Sequence, residues 1–113
     1  MKKNNIVRKN IDFSRIIENN KPYKTNYFNV FFEKNYINDY RFGISVSKKV
    51  GNAVIRNKLK RQIKNILDQY KDKIIREYDC IIIVKSNIIN LSYLEIKEQL
   101  FETLKKIKIF KEN

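Results

Sequence analysis

Apolar residues recur at steps of three and four through Ile55, Leu59, Ile63, Ile66, Leu67 and Tyr70, which draws one apolar stripe along a helix of about four turns. Gly51 offers a backbone hinge just before it, and Asn52 an N-cap whose side chain can accept from an otherwise unpaired helical amide. A first helix is predicted near residues 10 to 19, capped by Asn10, with Phe13, Ile16 and Ile17 on one face. The stretch from Lys21 to Asn26, which carries Pro22, reads as a connection or a short irregular strand. Tyr27 to Glu33 is rich in aromatics and reads as a strand. Arg41 to Ser47 alternates, with Phe42, Ile44 and Val46 to one side, and Asn35 to Asp39 makes the turn between, so these two strands are expected to form an antiparallel hairpin. Cys80 to Val84 is a short apolar run without a polar face, suited to a strand buried on both sides. A last helix is predicted to start near Ser92, with Ile96, Leu100, Leu104 and Ile107 as its inner stripe. The order is α-β-β-α-β-α, an α+β sandwich, with an extra short strand after the first helix left open.

Charge changes the reading of the long helix. Asn57, Lys60, Arg61 and Lys64 fall together on a flank of its stripe, so one side can be buried while another faces phosphates. A solvated basic face is the ordinary meaning of such a helix, but the whole chain leans the same way: 25 Lys and Arg stand against 12 Asp and Glu, for a net charge of +13. That excess would self-repel without a polyanion, which points to nucleic acid or an anionic membrane. A membrane span needs roughly 20 apolar residues and no run approaches this; the opening MKKNNIVRKN is charged without the apolar core of a signal peptide, so a cytoplasmic location and no membrane partner are expected. With only two Gly and one Pro there is no obvious linker, and residues 1–113 read as one domain.

Protein-borne catalysis finds no support in the residue types. There is no His, and the single cysteine, Cys80, lies inside the apolar run, where it is expected to be a buried thiol; neither a disulfide nor a cysteine-rich zinc site can be assembled. Asp68 and Asp72 stand one turn apart but near Lys64 and Lys71, which predicts surface ion pairs before a metal site. Glu77 and Asp79 are assigned to the turn before the third strand. No catalytic residue and no metal ligand is therefore expected on the chain.

The run RFGISVSKKVGNAVIRNKLKRQIK, preceded by DFSRII and followed by DCIIIVK, resembles the bacterial ribonuclease P protein subunit across nearly the whole chain. That family is the small basic partner of a catalytic RNA that removes the 5′ leader from precursor tRNA. The resemblance implies an α-β sandwich with a left-handed crossover through the basic helix, against the usual right-handed rule. It implies that Arg56, Asn57, Lys58, Lys60, Arg61 and Lys64, flanked by Lys48 and Lys49, face the catalytic RNA. It implies that Phe13, Ile17, Phe31 and Lys85 line a cleft for the single-stranded leader, that Mg2+ sits on the RNA and not on the protein, and that DNA is not a partner. Ile17 stands where a second aromatic is common, Asn20 where Gly often follows the first helix, and Lys58 and Lys64 where Arg is usual; Lys keeps the charge but loses the bidentate fork.

Strand alternation sends Phe28 and Phe32 to one face and Phe31 with Tyr27 to the other. Phe28 and Phe32 are expected in the core and Phe31 exposed in the cleft. Two other classes share the charge: a ribosomal or other structural RNA-binding protein, which needs no groove for a single strand, and a helix-based DNA-binding regulator, for which no second helix of a helix-turn-helix pair is recognisable.

Overall fold

An apolar strand with no polar face must sit between neighbours on both edges and under cover on both sides. A computed structural model, which describes residues 1–111, gives that place to β4 (Tyr78–Val84). With β1 (Tyr23–Lys24), β2 (Phe28–Lys34) and β3 (Arg41–Val46), it forms a four-stranded sheet in the order β1-β2-β4-β3. The expected β2–β3 hairpin is therefore corrected. The chain does reverse between them, with Asn38 at φ 58°, but β4 lies between, antiparallel to β2 and parallel to β3. The reason is burial: of the seven β4 residues, Asp79 through Ile82 and Val84 are buried, and a position between two half-apolar strands is the one that shields such a run. The short strand left open after the first helix exists as β1, antiparallel to β2.

The parallel β3–β4 pair needs a crossover, and α2 (Ala53–Gln69) supplies it. Asn52 caps it as expected, its Oδ1 accepting from the Ile55 amide at 3.0 Å. Leu59, Ile63, Ile66 and Leu67 are buried in the main core, whereas Ile55, predicted within the stripe, lies in the first turn and is 42% exposed. The last helix, α3 (Tyr93–Lys106), opens on a capping box in which Ser92 Oγ accepts from the Glu95 amide and the Glu95 carboxylate accepts from the Ser92 amide. Those bonds hold the Glu95 carboxyl below its usual range. Ile96, Leu100 and Leu104 are buried; Ile107 falls at the C-cap and is only half-buried.

Together α2 and α3 cover the sheet face that carries Phe28, Val30, Phe42, Val46, Ile82 and Val84, which is the main core. The other face is covered by α1 (Asn10–Asn19) alone, over a small core of Val7, Ile16, Phe31 and Ile81. Asn10 is the first helical residue and not the cap: the Asp12 and Phe13 amides both donate to the Lys9 carbonyl, so the helix begins one position earlier than its polar signal suggests. The N-terminal segment runs beside β3, with Ile6 bridging Phe42 and the Val7 amide donating to the Phe42 carbonyl.

Asp79 is corrected as well. It belongs to β4, not to the preceding turn, and is 1% exposed. Arg41 Nε and Nη2 donate to its two oxygens at 2.9 and 2.6 Å, and Asn35 Nδ2 donates at 2.9 Å. Arg41 sits directly across the parallel pair from Asp79, so the bidentate fork is a cross-strand contact, and it raises the guanidinium pKa further. Cys80 next to it is buried as expected, and burial pushes its thiol well up.

Removing one partner from a buried ion pair leaves the other charge stranded, at a cost of about 3 to 5 kcal/mol. Asp79→Ala is therefore expected to lower unfolding free energy by about that much, with Asp72→Ala, at an exposed site, within about 0.5 kcal/mol of the parent. Urea denaturation of both variants checks it; equal stabilities would remove Asp79 as a structural anchor.

Candidate nucleic-acid interface

The sheet face under α1 is built in rows, because residues paired across strands point the same way. In the first row Glu33, Asp79 and Arg41 stand abreast, and α1 completes them with Asp12 and Arg15. Arg15 donates to Asp12 at 2.8 Å and to Glu33 at 3.3 Å, while Arg41 approaches Asp12 at 3.8 Å. This end of the face is sealed by charge pairing.

The second row is Phe31, Ile81 and Gly43, all buried. A Cβ on Gly43 would stand 2.6 Å from both Phe13 Cζ and Ile81 Cδ1, so only glycine lets the Phe13 ring lie on the sheet. Phe31, expected to be exposed, is 8% exposed and belongs to the small core: α1 lies directly over it. Phe28 is fully buried on the opposite face, as expected, and Phe32 packs there partly buried.

The third row is Lys24, Asn29, Ile83 and Ser45, and here the cover stops. Asn29, Ile83 and Ser45 are half-buried and Lys24 is exposed. Beyond it, the Lys85 amide donates to the Tyr27 carbonyl and Lys85 Nζ to the Thr25 carbonyl at 2.6 Å, so Lys85 is tied to the loop before β2. Phe13 and Ile17 pack against the small core and remain half-buried at its edge. The result is a half-open groove with Phe13 and Ile17 on the wall, Ile83 and Asn29 on the floor, and Lys24 and Lys85 along one side. Phe13 and Ile17 share the edge of the small core with Phe31 buried in it, while Lys85 follows β4 two residues after Ile83 and is held by the loop before β2. Lys24, Asn29, Ser45 and Ile83 escape a sequence reading, since only the pairing register puts them in one row.

The second surface is the basic helix. Between Tyr40 and Leu67 the chain carries Arg41, Lys48, Lys49, Arg56, Lys58, Lys60, Arg61 and Lys64 and no Asp or Glu. Lys48 and Lys49 lie in a single 3-10 turn after β3, held by Ser47 Oγ accepting from the Lys49 amide at 3.2 Å. Asn57, Lys58 and Arg61 are exposed; Arg56, Lys60 and Lys64 are half-buried along the adjoining row of the helix. Among the described residues, the ion pairs involve Arg15, Arg41 and the Met1 ammonium, and none involves a cation of α2 or of its approach. Arg56 Nε is shielded by the protein and has no hydrogen-bond partner among the described residues. Unpaired cations on one face add their fields, where paired ones would cancel.

The acidic groups lie elsewhere. Asp68 pairs with the Met1 ammonium at 2.7 Å and not with Lys64 or Lys71, and Asp72 makes no ion pair among the described residues, so the predicted lysine pairs are corrected. Asp39, Asp68 and Asp72 line a separate cleft with Met1, Lys2 and Arg76. No described helix is long and apolar enough to cross a membrane.

Comparison with known proteins gives this geometry a family. The Ribonuclease P family model matches residues 1–108. The ribonuclease P protein component of Streptococcus pneumoniae strain CGSP14 is 37% identical over 112 residues, covering 99% of this chain and 91% of that protein. Among solved structures, the RNase P protein of Staphylococcus aureus superposes with a TM-score of 0.86 at 37% identity, over 94% of this chain and 97% of that one. The RNase P protein of Thermotoga maritima superposes with a TM-score of 0.81 at 32% identity, over 88% of this chain and 94% of that one. Matched over most of its length by the family model, by relatives and by solved folds, the chain belongs to the ribonuclease P protein family.

Proposed function

We propose that this chain is the protein subunit of ribonuclease P, acting in the cytoplasm, and that its two cationic surfaces hold two different stretches of RNA. The observation that carries the reading is the segregation of charge: an acid-free stretch from Tyr40 to Leu67 ends in a helix whose cations form no ion pair among the described residues. Lys48, Lys49, Arg56, Asn57, Lys58, Lys60, Arg61 and Lys64 then contact phosphates of the catalytic RNA, and α2 is rigid enough to present them because its opposite side is locked into the main core.

The half-open groove takes the unpaired 5′ leader of precursor tRNA. Its wall and floor are apolar or aromatic at Phe13, Ile17 and Ile83, which suits base faces of any sequence, and Lys24 and Lys85 supply positive charge beside them. A protein that merely binds folded RNA has no use for such a groove, which favours this function over a generic RNA-binding role. The chemistry belongs to the RNA and its Mg2+: the chain has no His, and its buried carboxylate, Asp79, is engaged by Arg41. The protein's contribution is to bind, orient and neutralise.

Changing Arg56, Lys60 and Arg61 together to Ala is expected to weaken binding to the catalytic RNA and to flatten its salt dependence by about 0.7 to 0.9 counterion per lost phosphate contact. A folded triple variant with the parent's slope would take α2 out of the interface.

Affinity for precursor tRNA is expected to rise as the leader is lengthened nucleotide by nucleotide, until the groove is full, and mature tRNA is expected to gain nothing. Phe13→Ala should cost about 1 to 3 kcal/mol for a leader-bearing substrate and almost nothing for mature tRNA. Phe31→Ala should instead lower folding stability by about 3 to 5 kcal/mol, since that ring lies under α1. Melting curves alongside binding to both RNAs separate the two residues; a leader-specific loss at Phe31 with unchanged melting would reverse their roles.

Purified protein alone is expected to leave precursor tRNA intact at every Mg2+ concentration, and the catalytic RNA alone to retain some activity at high salt and Mg2+. Cleavage that follows the isolated chain and disappears in Asp68→Asn or Asp72→Asn would overturn the assignment of chemistry to RNA.

A further inference from the structure

Asn29 breaks the rules of its surroundings in two ways. It occupies the interior of β2, in the run Phe28-Asn29-Val30-Phe31-Phe32, although asparagine is among the residues strands disfavour. It also leaves its side-chain Oδ1 shielded from solvent with no hydrogen-bond partner among the described residues, a state that folded proteins generally avoid. Alternation fixes which way it points: Phe28 and Val30 enter the main core and Phe31 the small one, so Asn29 faces the α1 side. Its row neighbours are Lys24 on one strand and Ile83 on the other, with Ser45 beyond. It therefore sits in the floor of the groove where the cover of α1 ends, a cation beside it and an apolar floor next to it. A valine there would suit the strand better and would leave no orphan oxygen. Residues that violate local consistency without compensation inside the protein concentrate at functional or strained sites.

On the reading that the groove holds the leader, we propose that Asn29 is a specificity-determining residue: its carboxamide accepts a hydrogen bond from an O–H or N–H donor of one leader nucleotide. The terminal torsion of an asparagine is broad and two-fold, so a small rotation turns Oδ1 toward the groove without moving the strand. A nucleotide offers such donors at the ribose 2′-hydroxyl and, on the base, at an exocyclic amine or at the ring N–H of uracil and guanine. Stacking at Phe13 and Ile83 tolerates any sequence, whereas a single directional bond at Asn29 adds discrimination at one position. An acceptor left unpaired in the free protein also means that the bond is made only with the leader in place, so its full value appears in binding.

The test uses the full chain assembled with its catalytic RNA, and the variants Asn29→Leu and Asn29→Val. Both remove the orphan oxygen and improve the fit to the strand, so melting temperature is expected to stay level or rise, while affinity for leader-bearing precursor tRNA falls about 5- to 30-fold, as for a lost hydrogen bond with a donor left unpaired. Mature tRNA is expected to bind the variants and the parent alike. Substrates carrying a single 2′-deoxy substitution, or a single base lacking its exocyclic amine or with its ring N–H methylated, scanned along the leader, are expected to reproduce that loss at one position with the parent protein and to add nothing with Asn29→Leu. Which series does so tells whether sugar or base is read. Variants that melt lower and lose affinity equally for both RNAs would make Asn29 structural. Parent-like affinity for the leader-bearing substrate, or a substitution scan with no sensitive position, would overturn the assignment while leaving the groove itself standing. Failure of the leader to add any affinity with the parent protein would instead overturn the groove and Asn29 together.

Discussion

The architecture follows from one constraint, that β4 has no polar face to give to water. An apolar strand with two buried sides needs a strand on each edge and a helix on each face. The chain meets this by threading β4 between β2 and β3, which then cannot pair with each other, and by laying α2 and α3 on one side and α1 on the other. The parallel pairing of β3 with β4 forces the connection to be a crossover, and the crossover is the basic helix. The helix that presents cations is thus also the one that the topology cannot do without.

The same strand carries the exception that anchors the arrangement. Asp79 enters β4 as a charge with 1% exposure, tolerated because Arg41 meets it with a bidentate fork and Asn35 with a third bond. A buried pair of this kind adds little net stability and much definition, since any register other than the one observed would strand a charge. With Arg15, Asp12 and Glu33 it gathers acidic side chains at one end of the α1 face. The other end is left open and cationic, at Lys24 and Lys85.

Much of this was legible in the chain. The stripe Leu59, Ile63, Ile66, Leu67, the cap at Asn52, the buried Cys80 and the last helix with its start near Ser92 all follow from local signals with short reach. What misled was anything decided by a partner distant in sequence. The turn at Asn35 to Asp39 is a good hairpin signal locally, but β4, more than thirty residues on, competes for the same edges and wins because it buries more. Phe31 looked free because alternation gives its direction and not what lies over it; α1 does. Asp79 read as a turn residue because a carboxylate in a strand is rare until its arginine is known. Of the candidate site, the basic helix was visible as charge in a periodic pattern, while the row Lys24, Asn29, Ile83 and Ser45, which gives the groove its floor and side, exists only through register.

The 3-10 turn at Lys48–Val50 joins the end of β3 directly to the approach of α2, and β3 also borders the groove through Gly43 and Ser45. Strand and helix are held to one another through the main core, with no hinge but Gly51 between them. Whatever lies along α2 is consequently kept at a set distance and angle from whatever lies in the groove. The fold behaves as a gauge block: grip one surface and the position of the other is fixed, without any motion having to be transmitted through the molecule.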